Sequence, residues 1–260
     1  MDAYTSFAEV YDAFMDNIPY EAWTEYLAGL LREYGVEQGI VLDLGCGTGT
    51  LTQLLARKGY DMIGLDSSQE MLQIAMEKRE QTGLDILYLC QDMREMELYG
   101  TTAAVVSLCD SMNYLLEYHD LVRVFRLVNN YLDPGGVFIF DMNTAYKYRE
   151  VIGDSTIAES REACSFIWDN FFDPETGINQ YDLTLFVRES EKEALYRRFD
   201  ETHLQRAYEI SDVLRAAEEG GMKAEAVYDA FTHEPPKKDS QRIYVVLREQ
   251  GKPMPDKKGD

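Results

Sequence analysis

Short apolar runs alternate with amphipathic stretches through the middle of the chain. The apolar runs are Ile40–Leu44, Met62–Leu65, Ile86–Cys90, Ala103–Cys109 and Val137–Phe140. Between them, apolar residues recur at the three- and four-residue spacing of a helix, as in Leu51-Leu54-Leu55 and Met71-Leu72-Ala75-Met76. Alternation of buried strand and helix predicts a parallel sheet that carries helices on both faces.

Three regions depart from this alternation. Residues 4–34 carry aromatic and apolar residues at helical spacing around Pro19, which predicts two N-terminal helices. Residues 144–205 combine turn signals with period-two alternation, which predicts an antiparallel insert of about three strands. The segment Asp133-Pro134-Gly135-Gly136 is typical of a helix stop followed by a turn.

The C-terminal part closes the predicted fold. A helix is expected at Ser211–Ala217, ending at Gly220-Gly221, and strands at Lys223–Tyr228 and Ile243–Leu247. The tail, residues 250–260, is polar and contains two prolines, so we expect it to be disordered.

Three glycines follow the first apolar run. The segment Val41–Gly49 reads VLDLGCGTG, so Gly45, Gly47 and Gly49 lie between a strand and a helix, at the sheet edge where ligands bind. Dinucleotide sites use G-x-G-x-x-G, and here the last spacing is one residue shorter. Asp43 would also repel a pyrophosphate, whereas it suits an ammonium or a sulfonium. The pattern therefore favours S-adenosylmethionine over NAD.

Acidic residues follow the next two apolar runs. Asp66, about 20 residues beyond the glycines, can accept hydrogen bonds from ribose hydroxyls. Its alternative role is to cap the following helix. Asp92 can accept a hydrogen bond from an adenine amino group, and Met93 can cover the adenine ring; a plain polar loop is the alternative.

These motifs resemble those of class I S-adenosylmethionine-dependent methyltransferases of the bacterial small-molecule type, over residues 36–143. The resemblance implies a Rossmann-like, seven-stranded, mostly parallel sheet whose last strand is antiparallel. It implies methyl transfer to nitrogen or oxygen of a small-molecule acceptor, with S-adenosylhomocysteine as the product. The expected parts are an N-terminal helical cap (1–35), the methyltransferase domain (36–143 and 206–249), the insert (144–205) and the tail (250–260).

Donor-binding roles follow from the resemblance, position by position. They fall on Asp43, Gly45, Cys46, Gly47, Thr48, Gly49, Asp66, Ser67, Gln91, Asp92, Met93 and Cys109. Asp43 would orient the donor amino group, directly or through water. The N-terminal aromatic residues Tyr4, Tyr11, Tyr20 and Trp23 are candidates to cover the donor, and core packing is the alternative for each.

The reaction itself demands few catalytic groups. Displacement at a sulfonium methyl needs alignment and desolvation, and a general base only when the acceptor is protonated. The candidate bases are Asp110, Tyr114 and His119. Related amino-sugar N-methyltransferases carry a histidine near the position of Tyr114, and this chain departs from them there. The aromatic insert is expected to roof the acceptor pocket, with a homodimer interface as the alternative.

Charge and composition restrict the partners. The formal net charge of −22 argues against nucleic acid, which basic patches normally bind. The four cysteines and three histidines show no metal-ligand spacing, so no metal site is expected, and Cys46, Cys90 and Cys109 beside apolar runs predict buried thiols. Without a signal-peptide pattern or an apolar run of about 18 residues, we expect a cytoplasmic monomer or homodimer with no membrane partner.

Three alternatives remain open at this point. The first is a methyltransferase that acts on RNA or protein. The other two belong to different classes: an NAD-linked oxidoreductase and a non-catalytic S-adenosylmethionine-binding protein.

Overall fold

The computed structural model of the protein describes residues 11, 12, 14, 19–189 and 195–252. The predicted first N-terminal helix lies outside the described residues except for Tyr11, Asp12 and Phe14, which are helical. Tyr4 and the tail from residue 253 also lie outside them.

Eleven strands and five helices build the described part of the chain. The strands are β1 (Ile40–Leu44), β2 (Asp61–Asp66), β3 (Ile86–Cys90), β4 (Thr102–Ser107), β5 (Leu132–Asn143), β6 (Thr156–Ser160), β7 (Cys164–Asp173), β8 (Ile178–Arg188), β9 (Tyr196–Arg206), β10 (Lys223–Asp229) and β11 (Arg242–Arg248). The helices are α1 (Tyr20–Glu33), α2 (Thr50–Arg57), α3 (Gln69–Thr82), α4 (Tyr118–Tyr131) and α5 (Ile210–Glu219). Short helical turns lie at Met93–Glu95, Ser111–Tyr114 and Lys147–Ile152.

The central sheet has seven strands in the order β10-β11-β5-β4-β1-β2-β3. Strands β1 to β5 run parallel, and β11 is antiparallel to both β5 and β10. This confirms the predicted seven-stranded, Rossmann-like sheet. The parallel strands place the loops after β1, β2, β3 and β4 at one edge, where a ligand site is expected.

Both faces of the sheet are buried, because successive side chains of a strand point to opposite sides. Leu42 and Val105 pack in a core with α4 and α5, whereas Val41 and Val106 pack in a second core with α1 and α2. Near-continuous apolar runs such as that of β1 therefore reflect burial on two sides. Of the helices in the described ranges, none combines the length and apolarity needed to cross a bilayer.

The segment Asp133–Gly136 is part of β5 and is not the predicted turn. Helix α4 does end at Tyr131, but Leu132 already pairs with Thr102, and the pairing then shifts so that Ala104 faces Val137. A Cβ on Gly136 would lie 2.9 Å from the carbonyl oxygen of Ala103. The glycine thus permits a bulged strand to approach its neighbour closely.

The insert forms a separate antiparallel sheet of four strands, β6-β7-β8-β9, rather than about three. The extra strand is β6, an edge strand whose residues are mostly exposed, so it lacks the period-two signal of a half-buried strand. In β8, alternation buries Tyr181, Leu183 and Leu185 on one face, where they pack with Phe14. The corresponding face of β9 buries polar side chains, which include Glu201 and His203.

The exposure of the cysteine thiols depends on where each lies in the sheet and not on the apolar run beside it. Cys46 is buried and Cys109 half-buried, but Cys90 is exposed, so the prediction of a buried thiol is wrong there. Cys90 is the last residue of β3, one of the two outer strands of the central sheet, and β2 is the strand that pairs with β3 in the described part of the chain.

We expect Leu42→Ala to lower the free energy of unfolding by about 2–5 kcal/mol, because it removes a fully buried side chain of the central strand β1 from the core that α4 and α5 share. The matched variant Leu87→Ala in β3, where the side chain is 50% exposed, should cost no more than about 1 kcal/mol. Urea denaturation monitored by circular dichroism measures both. Equal losses would contradict the assignment of β1 to the centre of the core.

Candidate functional site

A cavity of about 880 Å³ opens at the carboxyl edge of the central sheet. Among the residues predicted from the sequence, its wall contains Tyr11, Tyr20, Asp43, Gly45, Cys46, Gly47, Thr48, Asp66, Ser67, Gln91, Asp92, Met93, Cys109 and Tyr114. The predicted residues Gly49, Trp23 and Asp110 are not among the residues that line it. The folded chain thus brings the loops after β1, β2, β3 and β4 to one volume.

The three glycines serve different purposes within one loop. All have positive φ angles, of 78° at Gly45, 53° at Gly47 and 72° at Gly49, a region that favours glycine. A Cβ on Gly45 would lie 2.7 Å from Ser111 Oγ, and one on Gly49 would lie 3.0 Å from the Ala75 Cβ. By contrast, among the described residues other than its chain neighbours, none has an atom within 4 Å of a Cβ on Gly47. Gly45 and Gly49 allow the loop to pack, while Gly47 presents its backbone to the cavity.

Asp43 is a buried carboxylate at the floor of the cavity. Its Oδ2 accepts a hydrogen bond of 2.6 Å from Thr52 Oγ1. Burial raises the pKa of Asp43 to about 7; the nearby Asp66 adds to this rise and the Thr52 hydrogen bond opposes it. A cationic group in the cavity would favour the ionised form of this side chain.

Asp66 joins the glycine loop to the start of α3. Its Oδ2 accepts a hydrogen bond from the Gly47 amide at 2.8 Å, and its Oδ1 accepts one from the Ser68 amide at 2.9 Å. Burial nevertheless raises the pKa of Asp66 above its ordinary value. Asp66 is not the helix cap that the sequence left open, because the α3 cap is Ser68, whose Oγ accepts from the Met71 amide.

Asp92 is held by an arginine that the sequence analysis missed. Arg94 Nε lies 3.0 and 3.1 Å from the two Asp92 oxygens, and its Nη1 lies 3.4 Å from Asp120 Oδ2. The Arg94 hydrogen bond keeps the pKa of Asp92 below its usual range. The only sequence signal was an arginine two residues after an acid. Because Arg94 engages the carboxylate of Asp92, it orients that side chain at the cavity wall.

The loop after β4 adopts an unusual backbone. Cys109 and Asp110 have φ angles of 59° and 54°, which non-glycine residues rarely adopt. The Asp110 amide donates to Asp141 Oδ1 at 2.8 Å, while Arg242 forms ion pairs with both Asp110 and Asp141. Gln205 Nε2 donates to the second Asp110 oxygen at 2.7 Å. These contacts hold the strained loop in place and engage both carboxylate oxygens of one candidate base.

Tyr114 lies beside a histidine that comes from the insert. Its Oη is 3.1 Å from His203 Nδ1 and 2.7 Å from Tyr181 Oη. The sequence analysis found no histidine near Tyr114, but β9 supplies one from 89 residues further along the chain. The available signal was the period-two placement of Glu201 and His203 on one strand face. The other candidate base, His119, is 77% exposed and lies outside the cavity wall.

The N-terminal aromatic candidates divide into two groups. Tyr11 and Tyr20 line the cavity, and burial raises the pKa of Tyr20 above its ordinary value. Trp23 instead packs in the core, with its ring 5.4 Å from the Arg242 guanidinium and 5.2 Å from the ring of Phe231. Trp23 thus supports the residues behind the cavity rather than its wall.

Known proteins share both the sequence and this architecture. Residues 41–136 match a family described as "Methyltransferase domain". The chain is 38% identical over 242 residues to the Bacillus subtilis protein named "Putative methyltransferase YqeM", which covers 93% of this chain and 95% of that protein. A crystal structure of an S-adenosylmethionine-dependent methyltransferase from Clostridium acetobutylicum matches with a TM-score of 0.85 and 31% identity, over 96% of this chain and 100% of that one.

The name of a third relative includes its substrate. The dTDP-3-amino-3,4,6-trideoxy-alpha-D-glucopyranose N,N-dimethyltransferase of Streptomyces venezuelae is 32% identical over 136 residues, which is 52% of this chain and 56% of that enzyme.

The near-complete match to the first relative and the shared fold identify both the enzyme class and its methyl donor. They leave the oxidoreductase and non-catalytic alternatives without support. The chain belongs to the S-adenosylmethionine-dependent methyltransferases.

Proposed function

We propose that this enzyme transfers the methyl group of S-adenosylmethionine to a nitrogen or oxygen atom of a small acceptor that carries no phosphate. The observation that carries this proposal is the charge of the cavity wall. Its described residues include the acids Asp43, Asp66, Glu70, Asp92, Glu117 and Asp120, against one basic side chain, Arg94. Such a wall attracts amines and repels phosphates.

The positive charge of Arg94, the arginine in the described wall, is already balanced by acidic side chains. Arg94 already forms ion pairs with Asp92 and Asp120. Residues 1–18 contain neither lysine nor arginine, so the N-terminal segment adds no basic side chain. A nucleoside diphosphate group needs basic partners for its two phosphates. The nucleotide-linked amino sugar of the Streptomyces venezuelae relative is therefore not the substrate that we propose here.

Donor binding is proposed for the wall residues that follow β1, β2 and β3. The open space at Gly47 admits a ligand against the backbone, and buried Asp43 matches the donor's ammonium group. Asp66 is proposed to accept the ribose hydroxyls, with Asp92 and Met93 at the adenine. The bound donor supplies an activated methyl group on a sulfonium sulfur.

The chain itself supplies alignment and the exclusion of water. Tyr11 and Tyr20 belong to the wall of the donor cavity, and we propose that they cover the donor. Tyr181 of β8 contacts Tyr114 of the wall, which supports the proposal that the insert, residues 144–205, roofs the acceptor side. Packing reacting groups together in a closed cavity accounts for most of the catalysis that this displacement needs.

Donor affinity should fall as the pH drops below about 7, because protonation of Asp43 removes the charge that attracts the ammonium group. The expected loss of S-adenosylhomocysteine affinity is about tenfold per pH unit, measured by calorimetry. A raised pKa means that the folded state holds this proton more tightly than the unfolded state does, so acidification to pH 5 does not destabilise the protein through Asp43.

Two controls accompany this titration. Asp43→Asn should bind S-adenosylhomocysteine weakly with no such pH dependence, and adenosine, which lacks the amino-acid moiety, should bind the wild-type protein independently of pH in this range. Identical pH profiles for the wild type and Asp43→Asn would contradict the proposed role of Asp43.

We expect Asp66→Asn to raise the dissociation constant of S-adenosylhomocysteine about 10- to 100-fold, the usual effect of losing a hydrogen bond to a charged group. The matched control is Asp61→Asn, at the exposed first position of the same strand, which should bind like the wild type. A 2′-deoxyribose analogue should lose affinity for the wild type but not for Asp66→Asn. If the substitution and the missing hydroxyl lower the affinity by independent factors, Asp66 does not contact that hydroxyl.

An acceptor screen with isotopically labelled methyl donor tests the proposed substrate class. The library pairs phosphate-free amines and alcohols with nucleoside-diphosphate conjugates of the same groups. We expect phosphate-free amines to react with at least about a tenfold higher kcat/KM, because the acidic wall attracts them. Glu117→Gln should raise the KM of a cationic acceptor without changing donor affinity. Preferred turnover of the diphosphate conjugates would overturn the proposal.

A further inference from the structure

We propose that Tyr114, His203 and Glu201 form a proton relay that accepts the proton released by the acceptor during methyl transfer. This inference rests on the proposed function and adds the route by which the proton leaves. Tyr114 belongs to the methyltransferase domain, and His203 and Glu201 belong to the insert, so the relay connects these two parts.

The three side chains lie in one hydrogen-bonded row. Tyr114 ends the helical turn after β4 and lines the cavity. Its Oη lies 3.1 Å from His203 Nδ1, and His203 Nε2 lies 3.2 Å from Glu201 Oε2. The row therefore starts at the cavity wall and runs into the insert.

Burial makes this row costly as a purely structural feature. The side chains of His203 and Glu201 are 0% and 2% exposed, on a sheet face that also buries Leu183 and Leu185. Removing a carboxylate and an imidazole from water lowers stability unless specific partners compensate. Buried titratable pairs at a cavity are a recurring feature of catalytic sites.

The hydrogen-bond directions suit proton transfer toward the insert. The relay uses Glu201 as a carboxylate, which only accepts hydrogen bonds; His203 then donates from Nε2, and its Nδ1 accepts. Tyr114 then donates its hydroxyl proton to Nδ1. Tyr181 stacks on the His203 ring, with centroids 4.6 Å apart and 9° between the planes, and this contact fixes the ring orientation.

The proposed step conserves atoms and electrons. The acceptor lone pair forms a bond to the methyl carbon while the carbon–sulfur bond breaks, and that electron pair stays on sulfur. The acceptor proton moves to Tyr114 Oη as the tyrosine's own proton moves to His203 Nδ1. The resulting imidazolium is stabilised by Glu201, and transfer of its proton back through Tyr114 to water restores the resting state.

Two variants test the relay with an acceptor found in the screen. Tyr114→Phe should lower kcat about 100-fold, the usual contribution of a general base, while S-adenosylhomocysteine affinity stays unchanged. Glu201→Gln should lower the plateau of kcat and move its acidic limb to lower pH, because a neutral amide does not stabilise the imidazolium. A purely structural role would not move that limb.

The chain offers a matched control. His233 and Glu33 also form a histidine–glutamate pair, at 2.9 Å, but their side chains are 58% and 45% exposed. Glu33→Gln should leave both kcat and its pH profile unchanged. An unshifted profile in Glu201→Gln, or wild-type kcat in Tyr114→Phe, would overturn the relay.

Nitrogen NMR of the histidines tests the hydrogen-bond direction without any acceptor. The chain has three histidines, so the imidazole signals can be assigned by substitution. We expect His203 to carry its proton on Nε2 in the wild-type protein. Protonation at Nδ1 instead would overturn the relay even if the screen finds an acceptor. If the screen finds none, the proposed function fails while this measurement still decides the direction of the bond.

Discussion

One buried guanidinium joins the elements that meet at the carboxyl edge of the sheet. Arg242 of β11 forms ion pairs with Asp141 of β5 and with Asp110 of the loop after β4, and Trp23 of α1 packs over it. Gln205 of the insert binds the same Asp110. A buried charge without its partners is strongly unfavourable, so these elements keep one relative position. The strained backbone at Cys109 and Asp110, which borders the cavity, depends on this cluster.

Local sequence signals were sufficient to predict the residues that are proposed to bind the donor. The bounds of β1 and β3 coincide with apolar runs. In β1 the run reflects burial on both faces of a central strand, whereas the apolar residues of β3 lie in an outer strand and are partly exposed. Asp43 and Asp66 could be predicted as site residues because Asp43 is the penultimate residue of β1 and Asp66 is the last residue of β2. Their hydrogen-bond partners Thr52 and Ser68 lie within nine residues of them along the chain. The surroundings of these two acids therefore depend largely on local sequence.

The side of the cavity that is proposed to bind the acceptor depends on contacts between distant parts of the chain. Tyr114 and His203 are 89 residues apart, and Asp110 and Arg242 are 132 residues apart, so no local pattern could pair them. Trp23 could not be separated from Tyr20 by sequence, because both occupy one amphipathic helix and only the tertiary fold decides which aromatic ring reaches the cavity. Strand β6 was missed for a related reason, since an exposed edge strand carries little apolar periodicity.

The position of the insert has an evolutionary consequence. The chain leaves the central sheet at Asn143 and returns through Arg206 to α5, and both residues meet at Asn113, whose amide group donates to the two carbonyl oxygens. Entry and exit therefore lie side by side, so a segment of different length or sequence can connect β5 to α5 without moving the strands of the central sheet. If the insert roofs the acceptor side as proposed, selection can diversify the methyl acceptor there while the glycine loop stays constant. Any replacement would have to supply again the polar contacts that β9 makes through His203, Gln205 and Arg206.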